Sequence, residues 1–145
     1  MAELKRKVLF LCTGNSCRSQ MAEGWCRHLH GELIESFSAG IEKHGLNPVA
    51  VQVMRDAGVD ISGHFSKLIG ELPTRNFDLV VTVCGHTDAN CPVLPGPVPV
   101  IHQPFDDPPR FAADVENEEE RKNCYCRVRD EIFDFVKEMP RLLVE

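Results

Sequence analysis

The sequence lacks an apolar run long enough to cross a membrane. Spanning a bilayer takes about 20 consecutive apolar residues, and no stretch of this 145-residue chain approaches that length. The basic N-terminal residues are followed by a short apolar run, Val8 to Cys12, without a small-residue cleavage site after it. That run is too short for the core of a secretory signal. We therefore expect a cytoplasmic protein with no membrane association.

Positive charge is also scarce. The chain has 16 Lys and Arg against 22 Asp and Glu, which gives a formal net charge of -6. Such a balance does not favour a nucleic-acid surface, and the sequence contains no basic recognition helix. We expect no nucleic-acid partner. An anionic ligand would need a local positive site, because the field of the whole protein would not attract it.

The sequence contains no linker, internal repeat or low-complexity tract. Its 43% hydrophobic and 26% charged residues are typical of a soluble globular protein. The length suits one domain with a real core. We therefore expect a single domain over residues 1–145, and a monomer is the simplest assembly.

Alternating apolar patterns predict the fold. Short apolar runs predict strands at residues 7–11, 35–38, 78–84 and 98–101. Helices are predicted from Ser19, with an apolar stripe continuing to Leu33, from the Asn47-Pro48 cap to Gly58, and from Asn117. This alternation predicts an α/β fold, a single domain with a four-stranded parallel sheet and helices on both faces.

Cysteine, in contrast, is abundant. Seven cysteines stand at positions 12, 17, 26, 84, 91, 124 and 126. An odd number without an export signal argues against a disulfide framework, and favours catalytic, redox or metal-binding thiols. A zinc site could be formed by Cys84, His86, Cys91 and His102, but the sequence lacks the close Cys-x2-Cys pair that is typical of structural zinc sites. We expect no bound metal, and we expect His64 to be a solvated loop residue.

The segment CTGNSCRS follows the first predicted strand and precedes a helix. Ligands of parallel α/β sheets bind at the carboxyl ends of the strands. Successive backbone N–H groups of such a loop, together with the helix N-terminus, form a cradle for a tetrahedral oxyanion. The residues predicted to form this cradle are Thr13, Gly14, Asn15, Ser16, Cys17, Arg18 and Ser19.

The first thiol, Cys12, lies at the base of this loop. The field that binds an anion also favours the thiolate, so we expect Cys12 to be a nucleophile with a lowered pKa. Arg18 can bring a guanidinium to two oxygens of the anion. Ser19 can donate a hydrogen bond to the thiolate, and Asn15 can hold the loop through a left-handed backbone or side-chain bonds. Cys17 is expected to pack beneath the loop.

CTGNSCRS resembles the phosphate-binding loop of the low-molecular-weight protein tyrosine phosphatases. Proteins of that fold also have a late Asp-Pro pair, which here lies in FDDP. The resemblance implies that Asp107 acts as general acid and protonates the leaving oxygen. Asp106 is the competing residue, and an ordinary turn before proline is the alternative for both.

A phosphatase does not need the later segment VTVCGHTDANCP. Cys84 ends another predicted core strand, so we expect its thiol at the same sheet edge as Cys12. With Cys84 and Cys91 at this spacing, the loop and FDDP together resemble the thioredoxin-coupled arsenate reductases, which share the phosphatase-like fold. SAGIEKHGLNPVAV fits the same family, so the resemblance covers nearly the whole chain.

This resemblance implies arsenic detoxification through a redox-active disulfide relay. Cys12 attacks arsenate, Cys84 then attacks Cys12 and releases arsenite, and Cys91 attacks Cys84 to form the final disulfide. Reduced thioredoxin would supply the electrons without a bound cofactor, although a glutaredoxin-like or mycothiol-based donor stays open. Since Cys84 must pair with each of the other two, residues 85–90 are expected to move.

One position departs from the family. Its potassium-binding members have an acid where this chain has Lys67, although Asn15, Glu23 and Ser38 are present. An ammonium group opposes a cation, so we predict that no potassium is bound.

Two alternatives to arsenate reduction remain open from the sequence. One is a tyrosine phosphatase that uses Cys12, Arg18 and Asp107, and a weak phosphatase activity is also compatible with a reductase. The other is a non-enzymatic thiol sensor or zinc-binding module.

Overall fold

The structure, a computed structural model, describes residues 5–84 and 98–143. Within these ranges four strands form one parallel sheet in the order β2-β1-β3-β4. The strands are β1 (Arg6–Leu11), β2 (Ile34–Ala39), β3 (Leu79–Thr82) and β4 (Val100–His102). The predicted single-domain α/β fold with a four-stranded parallel sheet is confirmed.

The helices in the described ranges are α1 (Arg18–His30), α2 (Pro48–Asp56), α3 (Pro108–Ala112) and α4 (Glu118–Lys137), with 3₁₀ turns at Ile69–Glu71 and Met139–Leu143. The first, second and fourth are the helices that the sequence predicts, and α3 was not predicted. The side chain of Asn47 accepts hydrogen bonds from the first amides of α2, and Asn117 does the same for α4, so both predicted caps are confirmed. No helix in the described ranges is long and apolar enough to span a membrane.

Strand β1, in the interior of the sheet, is buried on both faces, as parallel strands usually are. Val8 and Phe10 belong to the larger core cluster, which contains buried residues of α1, α2 and α4. Leu9 and Leu11 belong to a smaller cluster on the opposite face, where the 3₁₀ turn Ile69–Glu71 and neighbouring loops cover the sheet. Period-2 alternation along a strand places these two pairs on opposite faces.

The apolar stripe of α1 is shorter than predicted. Leu33 was expected to continue it, but α1 ends at His30 and the amide of Leu33 donates to the His30 carbonyl in the following turn. The Leu33 side chain is therefore 58% exposed. Trp25 is buried in the core, and its indole N–H donates to the carbonyl of Arg129.

The sheet order creates a crevice at one edge. β1 lies between β2 and β3, so the chain leaves β1 towards one side and returns on its other side. Ligands of open α/β sheets bind beyond the carboxyl ends of the strands at such a switch point. The described residues that follow β1, β3 and β4 meet there, and the predicted site residues within the described ranges lie among them.

Candidate active site

The loop after β1 is held from outside through its carbonyl groups. The Thr13 carbonyl accepts hydrogen bonds from the amides of Ile41 and Glu42, Gly14 accepts from His44, and Ser16 accepts from Asn47. In a trans peptide the N–H points away from the C=O. The amides of residues 14, 15 and 17 therefore face the inner side of the loop, which is the arrangement predicted for an oxyanion cradle.

Gly40 lets the outer segment approach the loop closely. A Cβ at this position would lie 2.6 Å from the Thr13 oxygen and 2.8 Å from the Cys12 oxygen, and both are backbone atoms that cannot move aside easily. A side chain at residue 40 would thus push the loop out of shape. Gly40 was not predicted as a site residue, because its place directly after a strand is all that marks it in the sequence.

Asn15 fastens the loop from below. It has φ +47, the one positive φ among the described non-glycine residues, so the predicted left-handed conformation is confirmed. Its side-chain N–H donates to Ser19 Oγ at 2.9 Å, and its side-chain oxygen accepts from the Lys67 amide at 2.8 Å. Asn15 and Ser19 are fully buried. Side-chain and backbone bonds together therefore fix the loop conformation.

Gln20 and His64 extend this buried network, and neither was singled out as a site residue. Gln20 donates to both oxygens of Asn15, and its own oxygen contacts His64 Nδ1 at 3.0 Å. His64, expected to be a solvated loop residue, is instead half-buried, and burial lowers its pKa. A polar Gln on the buried side of an amphipathic helix was the available signal.

Cys12 is the thiol at the base of the loop. It is 4% exposed, and its pKa is lowered, first by a hydrogen bond from the Cys84 thiol and then by Arg18 and the Thr13 amide, against the opposing effect of burial. Burial raises the pKa of Cys17 well above its usual range. The loop therefore favours the thiolate at Cys12 and the neutral thiol at Cys17, which packs beneath it as expected.

Cys84 follows β3 and lies next to the loop. The register of β1 and β3 pairs Leu11 with Thr82, and the Val83 amide donates to the Leu11 carbonyl, so the two chains leave the sheet side by side. The Cys84 sulfur lies 3.9 Å from Thr13 Oγ1 and is fully buried. The predicted meeting of a second thiol with Cys12 at the sheet edge is confirmed. Cys91 lies outside the described residues.

Arg18 joins the loop to the Asp-Pro segment. It is almost fully buried, and its Nη1 donates to the carbonyls of Phe105 at 3.1 Å and Val83 at 3.5 Å. Its Nε lies 3.8 Å from Asp107 Oδ1. Asp106 instead binds Arg127 at 3.0 Å. Of the two neighbouring acids, Asp107 is therefore the one that reaches the loop.

The residues near Glu23 do not fit a potassium ion. Lys67 Nζ lies 3.9 Å from Glu23 Oε1, which also accepts a hydrogen bond from Ser38 Oγ, while Arg27 binds the second carboxylate oxygen. Two cations already face this carboxylate. Among the described residues, no group of three or more His, Cys, Asp or Glu could hold a metal ion.

A model of the family described as low molecular weight phosphotyrosine protein phosphatase matches residues 7–138. The chain belongs to this family. It is 50% identical over 131 residues to the arsenate reductase of Bacillus subtilis, a match that covers 90% of this chain and 92% of that protein. Within the phosphatase family it thus belongs with the arsenate reductases.

Two solved structures agree with this assignment. One, an arsenate reductase in the phosphate binding state, superposes with a TM-score of 0.72 at 27% identity, and the match covers 96% of this chain and 99% of that chain. The thioredoxin-dependent arsenate reductase of Corynebacterium glutamicum superposes with a TM-score of 0.65 at 25% identity, covering 98% of this chain and 65% of its own.

Proposed function

We propose that this protein reduces arsenate to arsenite with a relay of three thiols, Cys12, Cys84 and Cys91. The observation that supports this most directly is a second buried thiol, Cys84, beside Cys12 at the base of the anion loop, where its sulfur lies 3.9 Å from Thr13 Oγ1. Phosphate-ester hydrolysis needs one nucleophilic thiol and an acid. A second thiol within reach of the first adds the capacity to form a disulfide.

In the first step arsenate binds to the inward-facing amides and the Arg18 guanidinium. The Cys12 thiolate attacks arsenic and forms a sulfur–arsenic bond. One arsenate oxygen leaves as water and takes a proton from Asp107, which acts as general acid. Arsenic remains As(V) in this covalent adduct.

In the second step Cys84, as thiolate, attacks the Cys12 sulfur. The new disulfide forms as the sulfur–arsenic bond breaks, and the bond's electron pair stays on arsenic, which leaves as arsenite, As(III). Two thiols have been oxidised and one arsenic reduced, so the electrons balance. Cys91 then attacks the Cys84 sulfur, and Cys12 leaves as the thiolate.

The remaining Cys84–Cys91 disulfide needs an external reductant and no bound cofactor. We propose thioredoxin, because the structurally similar arsenate reductase of Corynebacterium glutamicum is thioredoxin-dependent. This reductant works in a reducing compartment, so a cytoplasmic location and a role in arsenic detoxification accompany the proposal.

Cysteine variants test the order of the relay. In single turnovers without reductant, Cys91→Ser should release about one arsenite per chain and stop as a Cys12–Cys84 disulfide. Cys84→Ser should release none. Cys126→Ser is the matched control, because this half-buried thiol lies on α4 away from the loop, and it should behave as the unaltered protein. Arsenite release from Cys84→Ser would overturn the relay.

Steady-state assays identify the donor. Reduced thioredoxin should sustain turnover, whereas turnover only with a glutaredoxin-like or mycothiol-based system would replace thioredoxin in the scheme. Hydrolysis of an aryl phosphate uses the same loop and first step, and we expect it as a weak side activity. Hydrolysis without any arsenite release would instead make the protein a phosphatase.

A further inference from the structure

The turn that bears the general acid is fastened at both of its ends. The Phe105 amide donates to the Val83 carbonyl at 3.3 Å, and its own carbonyl accepts from Arg18 at 3.1 Å. Its ring packs edge-on against Phe135 of α4, with the centroids 6.2 Å apart. On the other side, the buried Pro108 begins α3.

Between these ends, Asp106 is held by α4. Its Oδ2 accepts a hydrogen bond from Arg127 Nη2 at 3.0 Å, while Arg127 Nη1 binds Glu131 one turn further along the helix at 2.9 Å. The Arg127 guanidinium also lies over the Phe111 ring of α3, 5.7 Å from its centroid. Arg127 thus connects α4 with the turn and with the helix that follows it.

The backbone of this turn makes the two acids alternatives to each other. Asp107 has extended geometry, with φ -84 and ψ 106, and successive side chains of an extended chain point to opposite sides. With Asp106 drawn outward to Arg127, Asp107 is the acid directed to Arg18 at the loop. Without the hydrogen bond from Arg127 to Asp106, either carboxylate could turn towards the guanidinium of Arg18.

We propose that Arg127 is a positioning residue, which holds Asp106 outward and thereby presents Asp107 to the anion loop. This inference rests on the proposed function, in which Asp107 protonates the leaving oxygen. Arg127 and Asp106 are both nearly half-exposed. Ion pairs with such exposure contribute little to folding, so the pair can be broken without unfolding the protein.

The test uses three variants: Asp106→Asn, Arg127→Gln and the double variant that carries both substitutions. The control is Glu131→Gln, which removes the other acidic partner of Arg127 and leaves the turn unchanged. The readout is the rate of arsenite formation in single turnovers over a range of arsenate concentrations. Misplacing a reacting group by about 1 Å can slow a reaction by up to about 100-fold. Because an exposed ion pair holds the turn only weakly, we expect each single variant to be slowed about threefold at saturating arsenate, with unchanged half-saturation and melting temperature.

The double variant should be no slower than either single variant, because both break the same contact. The charge exchange Asp106→Arg with Arg127→Asp should recover most of the rate. Unaltered rates in Arg127→Gln would overturn the inference, as would an equal loss in Glu131→Gln or a loss that appears only as weaker arsenate binding.

Asp107→Asn separates this inference from the proposed function. If Asp107→Asn is slow and Arg127→Gln is not, only the positioning role fails. If Asp107→Asn reacts at the unaltered rate, the general acid of the proposed function is wrong and the positioning role falls with it.

Discussion

Removing the Cys84 thiol should make Cys12 harder to ionise. A hydrogen bond from Cys84 is the largest influence that lowers the Cys12 pKa, ahead of the Arg18 charge and against burial. Hydrogen bonds to charged groups contribute about 1.5–3 kcal/mol, and about 1.4 kcal/mol corresponds to a tenfold change in the thiolate equilibrium. Since a thiol is a weak donor, we expect the lower end, a roughly tenfold loss of thiolate in Cys84→Ala.

The assay is the pH dependence of Cys12 alkylation by iodoacetamide, followed by mass spectrometry of the Cys12 peptide. Alkylation is proportional to the thiolate fraction below the pKa and levels off above it. The Cys84→Ala profile should therefore be shifted to higher pH and reach the same plateau. Cys84→Ser retains a donor and should be shifted less. Coincident profiles for the unaltered protein and Cys84→Ala would refute the reasoning.

Three further predictions concern two residues that shape the loop, Gly40 and Asn15, and the absence of a potassium site at Glu23. In Gly40→Ala, phosphate should no longer protect Cys12 from alkylation by iodoacetamide, because the new Cβ would lie 2.6 Å from the loop backbone. Gly63→Ala is the control, because a Cβ there has no neighbour within 4 Å. Equal protection in both variants would contradict this prediction. Asn15→Ala should lower the free energy of unfolding by about 3 kcal/mol in urea titrations, through its positive φ and lost buried hydrogen bonds. A loss below about 1 kcal/mol would be too small for that account. Because Lys67 faces Glu23, exchanging sodium for potassium chloride should leave the melting temperature unchanged, and a potassium-specific rise would contradict it.

The parts of the site that could be predicted are local in the chain. A buried strand, a short loop with Gly14 and a helix start are adjacent, and in this context CTGNSCRS indicates an anion loop. The sheet followed from strands that alternate with helices, and the meeting of Cys12 with Cys84 followed from both ending core strands. Such inferences need periodicity and the rule that parallel strands end at one edge.

What could not be predicted depends on contacts between distant segments. Gly40 matters because a segment 25 or more residues away crosses the loop backbone, and a glycine after a strand does not reveal what approaches it. The residue that binds Asp106 on the side away from the loop, Arg127, lies 21 residues further along the chain. His64 appeared to be solvated because its partner, Gln20, is 44 residues away.

The central claim is that one chain carries the two electrons that reduce one arsenate. The most direct test is a single turnover of fully reduced protein with arsenate and no added reductant, with arsenite quantified and disulfides mapped by mass spectrometry. The relay predicts about one arsenite per chain and a Cys84–Cys91 disulfide. Reduced thiols and no arsenite at the end of the reaction would contradict it.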